Sequence, residues 1–259
     1  MSEMTTVRGE TFSIPVTDDT PIFRHQYWLS QSEKESLNEH IEERIKCGFS
    51  RPSSSPWAFP TTMPPKKDEH GNWMLKRPCG DYWELNKVSV TDHYPLPTPE
   101  EIFDQLQGAT WFTTLDLRWG YHQGAIDEKD CCKTAFWGPW GLFEWVVMPF
   151  GLKNAPAFFQ RMMDTTLRAQ FEFCRCYIDD MIIFNKSFDE HLVHLRAVFK
   201  SSCAANGFGV IRRSRHADRS SAGLGAVLAQ RDEEGKEYVV AYASRSNNRT
   251  QLNYSSYHG

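Results

Sequence analysis

Cys176-Tyr177-Ile178-Asp179-Asp180-Met181-Ile182-Ile183-Phe184 is apolar on both sides of two adjacent aspartates. Two short apolar arms around a polar pair read as a tight β-hairpin with the acids at its tip. Seating adjacent carboxylates between Ile178 and Met181 costs desolvation and mutual repulsion unless something positive sits beside them. A divalent cation answers that need: hard oxygen ligands suit Mg²⁺, and two such ions can activate an attacking oxygen and stabilise a leaving one. A plain polar turn fits the same residues, because Asp is a favoured turn residue. A third acid stands in similar surroundings. Residues 111–117 read as a strand with Leu115 and Leu117 on one face and Thr114 and Asp116 on the other.

Outward from these strands the chain mixes helices and strands, which predicts an α+β domain over residues 21–200. Ser32 and Glu35 form an S-x-x-E capping box, Leu37, Ile41 and Ile45 recur at four-residue spacing, and Gly48 stops the helix. Residues 51–56 form a rigid polar loop, and residues 66–71 a charged turn between strands. The proline-rich run 93–99 is extended and precedes a helix over about 100–106. Asn154-Ala155-Pro156 starts another helix, with Phe158/Met162 and Phe159/Met163/Leu167 in register one turn apart, and residues 191–199 form a short one.

The first twenty residues are polar without a clear period and read as a tail. Residues 201–215 are a small-residue and arginine-rich junction. Beyond it, residues 216–259 carry two strand-like runs, 224–229 and 238–243, joined by Asp232-Glu233-Glu234-Gly235. So short a module is marginal for a core of its own.

Of the 259 residues 40% are hydrophobic and 24% charged, which places the chain among globular proteins. No apolar run reaches the roughly 20 residues of a membrane helix, and residues 1–10 lack the apolar core of a secretion signal, so an intracellular protein without a membrane partner is expected. The seven cysteines lack zinc-site spacing and are expected to be reduced thiols. A net charge of −4 shows no overall basic bias towards nucleic acid, although a local basic groove can lie beside an acidic site.

Tyr177-Ile178-Asp179-Asp180 resembles the Y-x-D-D signature of reverse transcriptases. Leu115-Asp116-Leu117-Arg118-Trp119-Gly120-Tyr121-His122-Gln123 is similar to the preceding palm motif of gypsy-type long-terminal-repeat retrotransposons, and Met148-Pro149-Phe150-Gly151-Leu152-Lys153-Asn154-Ala155-Pro156 with Phe159-Gln160 to the motif between them. Arg51-Pro52-Ser53-Ser54-Ser55-Pro56-Trp57, Asp81-Tyr82 with Leu85-Asn86, Tyr94-Pro95-Leu96-Pro97 and Lys133-Thr134-Ala135-Phe136 are also family-like, in the expected order.

The resemblance implies fingers and palm subdomains of an RNA-directed DNA polymerase, which adds deoxynucleoside triphosphates to a DNA primer on an RNA or DNA template. Asp116, Asp179 and Asp180 would hold two Mg²⁺ ions, with Mn²⁺ as an alternative. Tyr121 matches the family's sugar gate against ribose. Phe150 and Gly151 would border the incoming nucleotide, and Gln160 would contact template or face solvent. Arg77, with Lys66 or Lys67, would supply cations for the triphosphate. Three departures stand out: residues 74–76 separate Trp73 from Arg77, Trp83 stands where an arginine is usual, and Trp119 is bulky at a normally small position.

Residues 216–259 resemble the start of the retrotransposon RNase H-like domain, with Asp218 as its first metal-binding acid. The catalytic glutamate that would follow is not in the sequence, so RNase H activity is expected to be absent. The family's thumb and connection subdomains have no counterpart in residues 201–215. The resemblance therefore implies a Pol polyprotein fragment, polymerase by family and weak in template grip. The alternative is a catalytically inactive retroelement-derived fragment with residual nucleic-acid binding.

Overall fold

The computed structural model describes residues 11–64, 66–67, 73–74, 78–117, 120–204, 223–231 and 237–246. For residues 66–67, 73–74, 116, 202–204, 223–231 and 237–246 the backbone alone is described. The chain divides into two compact units, Met1–Tyr94 with Tyr121–Phe159, and Pro95–Gly120 with Gln160–Gly259.

The first unit opens on residues expected to be a tail. Phe12 and Ile14 are buried, Phe12 bridges to Ile126, and Val16 bridges to Ser89. The Ile14 N–H donates to Asp130 Oδ2 at 2.8 Å, while Lys133 Nζ lies 2.9 Å from Asp130 Oδ1 and donates to the Ile14 carbonyl at 3.1 Å. Alternation of Phe12, Ile14 and Val16 within a polar stretch is what allows this segment to lay one face on the core. The family-like Lys133-Thr134-Ala135-Phe136 run supplies the cation that neutralises buried Asp130.

Helix Gln31–Lys46 is capped by Ser30, two residues before the Ser32 expected to cap it. The Ser30 hydroxyl accepts from the Glu33 N–H, and the Glu33 carboxylate accepts from the Ser30 N–H. The sequence offers both boxes; the earlier one adds Gln31 to the helix, where its amide donates to Glu35 one turn on. Leu37 and Ile41 face the core, Ile45 is exposed, and Gly48 at φ 72° ends the helix. A three-stranded antiparallel sheet follows, in the order Ser50–Pro52, Gly141–Trp145, Phe136–Gly138. Arg51 reaches Glu144 at 2.8 Å and also Glu128, and Ser53 donates to Glu144 at 2.6 Å, which holds the 51–56 loop against that sheet. Phe59, Phe136, Tyr82, Leu85 and Met148 fill the centre. Lys66–Lys67, read as part of a charged turn over 66–71, instead form a short strand paired antiparallel with Trp73–Met74; residues 68–72 lie outside the described residues.

In the second unit, helix Pro99–Gln105 is capped by Thr98, whose hydroxyl accepts from the Glu101 N–H. The sheet is antiparallel throughout, in the order Gly223–Arg231, Glu237–Ser246, Trp111–Asp116, Asp180–Asn185, Cys174–Tyr177. The two C-terminal strands pair with this sheet, Tyr242 opposite Thr114, as a free strand edge is a ready partner. Thr113 and Leu115 are buried and Thr114 is exposed, the alternation read from the sequence.

Helix Phe188–Ala204 is longer than expected and runs into the predicted junction. It begins at a Ser187-x-x-Glu190 capping pattern, with the Glu190 N–H donating to Ser187 Oγ at 3.4 Å. Its buried His191 bonds Asn185 Oδ1 and Thr113 Oγ1, each at 2.7 Å, and so ties the helix to two strands. Among the described residues no helix is long and apolar enough to cross a membrane.

Candidate active site

The hairpin expected around Asp179 and Asp180 forms in the second unit, from strands Cys174–Tyr177 and Asp180–Asn185 with Ile178 and Asp179 between them. Six consecutive register pairs join the second arm to Trp111–Asp116, ending with Asp180 opposite Asp116. The Leu117 N–H donates to the Asp179 carbonyl at 3.3 Å, which closes the same end of the ladder. Directly opposed residues of an antiparallel pair lie about 4.5–5.5 Å apart at Cα, so positions 116 and 180 meet across the strands despite their distance along the chain. Asp180 is exposed and Asp179 half-buried.

The Asp179 carboxylate rests on Gly120: a Cβ built there would lie 2.3 Å from Oδ1 and 2.6 Å from Cγ. Only a residue without a side chain admits the carboxylate at this place. Among the described residues no three potential metal ligands cluster, and the Asp116 side chain is not one of those described. The donor chemistry of Asp179 and Asp180, hard carboxylate oxygens, fits a divalent cation of the Mg²⁺ type.

The turn has an unusual backbone. Ile178 adopts φ 55°, the single positive φ of a non-glycine residue among the described residues. A β-branched side chain in this region costs on the order of 1–3 kcal/mol. Gln160, expected to contact template or face solvent, is 1% exposed and does neither. Its Oε1 accepts the Ile178 N–H at 2.9 Å, and its Nε2 donates to the Cys176 carbonyl at 3.0 Å and to Asp164 Oδ1 at 2.9 Å. The substrate-contact reading of Gln160 is therefore corrected: main-chain atoms of the turn consume its amide. Cys176 Sγ donates to the Ile178 carbonyl at 3.0 Å. Burial raises this thiol's pKa, and pushes that of Cys174 up to about 12, so both stay protonated; all cysteines among the described residues are free.

A second set of predicted residues lies in the first unit. The Tyr121 ring packs against Phe150 at 5.2 Å and Phe159 at 5.4 Å between centroids, and Phe150 is half exposed. The neighbouring His122 is buried and stacked on Trp145, with Nδ1 3.0 Å from the Met148 carbonyl; burial pushes its pKa down to about 4, so the ring is neutral. Gly151 adopts φ 93°, and a Cβ on it would stand 3.2 Å from the Gly80 carbonyl, so both the conformation and the close approach call for glycine.

Asn86, of the family-like Leu85-Asn86 pair, holds this loop. Its Nδ2 donates to the Gly151 carbonyl and its Oδ1 accepts the Lys153 N–H, both at 2.8 Å. A cavity of about 450 Å³ lies beside it, lined by Gly80, Asp81, Trp83, Lys87, Gly151 and Lys153 among others. Trp83, where the family resemblance leads one to expect arginine, is half exposed and carries Lys87 Nζ 4.3 Å above its ring. Lys66 and Lys67 stand opposite Met74 and Trp73 in their two-stranded ladder. Arg77, Trp119 and Asp218 lie outside the described residues.

Comparison with known proteins agrees with this architecture. Residues 64–211 match the family model described as reverse transcriptase (RNA-dependent DNA polymerase), and residues 215–259 match that of an RNase H-like domain found in reverse transcriptase. The Retrovirus-related Pol polyprotein from transposon 297 of Drosophila melanogaster is 40% identical over 73% of this chain, and that from transposon opus of the same organism is 37% identical over 88%. The Pol polyprotein from transposon gypsy is 35% identical over 85%. The chain spans 18%, 22% and 21% of the lengths of these three relatives.

Among solved structures, the native prototype foamy virus protease-reverse transcriptase superposes with a TM-score of 0.69 at 25% identity, over 78% of this chain and 26% of that one. The foamy viral enzyme in complex with an RNA/DNA hybrid shares the fold at a TM-score of 0.69 and 24% identity, again over 78% and 26%. With the first of the two family models covering more than half of its residues, and with an aspartate hairpin set in an antiparallel sheet, this chain belongs to the reverse transcriptase family.

Proposed function

We propose that the chain carries the nucleotidyl-transfer site of an RNA-directed DNA polymerase, with Asp116, Asp179 and Asp180 as the metal-binding set. The observation that supports this most directly is the register that opposes position 116 to position 180, with Asp179 at the adjoining turn. The three carboxylates hold divalent cations, Mg²⁺ or Mn²⁺, by oxygen donors alone. When bound, such ions activate the primer 3′-hydroxyl and neutralise the departing pyrophosphate.

The chain's own residues supply the rest. Lys66, Lys67 and Arg77 offer cations to the triphosphate. Tyr121, braced by Phe150 and Phe159, presents an aromatic edge to the sugar, and Gly151 allows the backbone to come close to the nucleotide. Asn86 keeps that loop in place. The partners are an RNA or DNA template with a DNA primer, and deoxynucleoside triphosphates; the fold shared with a foamy viral enzyme solved on an RNA/DNA hybrid is consistent with this.

The test is extension of an oligo(dT) primer on poly(rA) with Mg²⁺. The parent chain extends the primer, and the Asp179→Asn/Asp180→Asn variant loses at least about 10³-fold in rate while it keeps its thermal stability. A parent that binds primer–template but adds no nucleotide would instead support an inactive, nucleic-acid-binding fragment.

A further inference from the structure

We infer that Gln160 is a positioning residue that holds the aspartate turn in its left-handed conformation. The inference rests on the proposed metal-binding set. A non-glycine residue, and above all a β-branched one, persists at φ 55° only where its surroundings over-determine it. Gln160 is what over-determines Ile178. One end of its amide takes the Ile178 N–H and the other gives to the Cys176 carbonyl, so a single side chain grips the main chain on both sides of Tyr177.

Asp164 fixes which way round the amide sits. One helical turn on from Gln160 within Ala155–Thr166, it accepts from Nε2 and rejects the flipped amide, which would set two oxygens together. Cys176 adds a thiol donor to the Ile178 carbonyl. With Ile178 so held, Asp179 lies on Gly120 and Asp180 begins the strand opposite position 116. Released, Ile178 relaxes towards negative φ, and the two carboxylates that follow it leave these places.

Amide hydrogen exchange and single-turnover primer extension test this on the whole chain. In the parent, the amide of residue 178 exchanges at least about 100-fold more slowly than a freely solvated one; an unprotected amide there overturns the inference whether or not the chain extends primers. Gln160→Met keeps the buried length but none of the bonds. It slows extension by about 10²-fold with primer–template affinity unchanged. Adding Ile178→Gly, whose backbone accepts positive φ freely, restores at least about tenfold of the loss. Weakened primer–template affinity in Gln160→Met, or no recovery from Ile178→Gly, would mean that Gln160 acts elsewhere. If the parent itself adds no nucleotide, the polymerase reading fails on its own, and exchange at residue 178 in the parent and Gln160→Met still decides the clamp.

Discussion

Substituting Gly120 by alanine isolates the placement of one carboxylate from everything else in the fold. The added Cβ would stand 2.3 Å from Asp179 Oδ1, 2.6 Å from Cγ and 2.8 Å from Oδ2, whereas ordinary contacts begin near 3.4 Å. The carboxylate must therefore retreat by about 1 Å. It sits at the free end of a short side chain, so it retreats cheaply: an off-rotamer χ angle costs about 0.5–1.5 kcal/mol. Alanine in place of glycine in the short Gly120–Gln123 helix returns up to about 1 kcal/mol through its better propensity. Net stability thus changes by less than about 1 kcal/mol, within a few degrees of melting temperature.

Chemistry is less forgiving, because a misplacement of this size in a reacting constellation costs about 10²-fold in rate. The assay is single-turnover primer extension at saturating nucleotide and Mg²⁺, paired with thermal unfolding and with Mn²⁺ binding followed by electron paramagnetic resonance. Gly120→Ala is expected to fold as the parent does, to bind Mn²⁺ more weakly and to extend about 10²-fold more slowly. A parental rate in a folded Gly120→Ala protein would refute the claim that Asp179 must lie where it does. A rate loss matched by a collapse in melting temperature would refute the separation of placement from stability.

Two further predictions concern the first unit. His122 is held neutral by burial with a pKa of about 4 against an ordinary value near 6.5, so its unfolded form takes up a proton first as pH falls. The stability that depends on the neutral ring is complete above about pH 6.5 and is lost progressively down to pH 4, by about 3 kcal/mol. Urea midpoints of His122→Phe, which keeps the stack on Trp145, should flatten over that window, apart from the acid sensitivity of His191, whose burial also lowers its pKa. Lys133→Met strands Asp130 as a buried carboxylate and is expected to cost about 3–5 kcal/mol in urea unfolding; adding Asp130→Asn should recover a large part of it, and no recovery would show that the ion pair does not anchor residues 12–16.

What the sequence discloses and what it hides divide along a physical line. The strand over residues 111–116 and the hairpin over residues 174–185 were legible because their signals are local: period-two alternation in the first, apolar arms around two acids in the second. The helix over 31–46 was legible in kind but not in start, since overlapping S-x-x-E patterns at Ser30 and Ser32 are locally equivalent. Residues 12–16 hide because five alternating residues in a polar stretch are too few to stand out, and the start of the 188–204 helix carries only the Ser187-x-x-Glu190 pattern as its signal.

The parts that orient the site hid for a deeper reason. Gln160 bonds the Ile178 N–H and the Cys176 carbonyl, Asn86 the Gly151 carbonyl and the Lys153 N–H, His122 the Met148 carbonyl. In each pair one partner is main chain, and a main-chain amide or carbonyl is the same whatever residue bears it. Such a contact leaves half a signature: a lone polar side chain on a helix or loop that reads equally well as solvated. Acids that must meet a cation betray themselves by their apolar surroundings, whereas the residues that aim them become visible only once the backbone they hold has been folded against them.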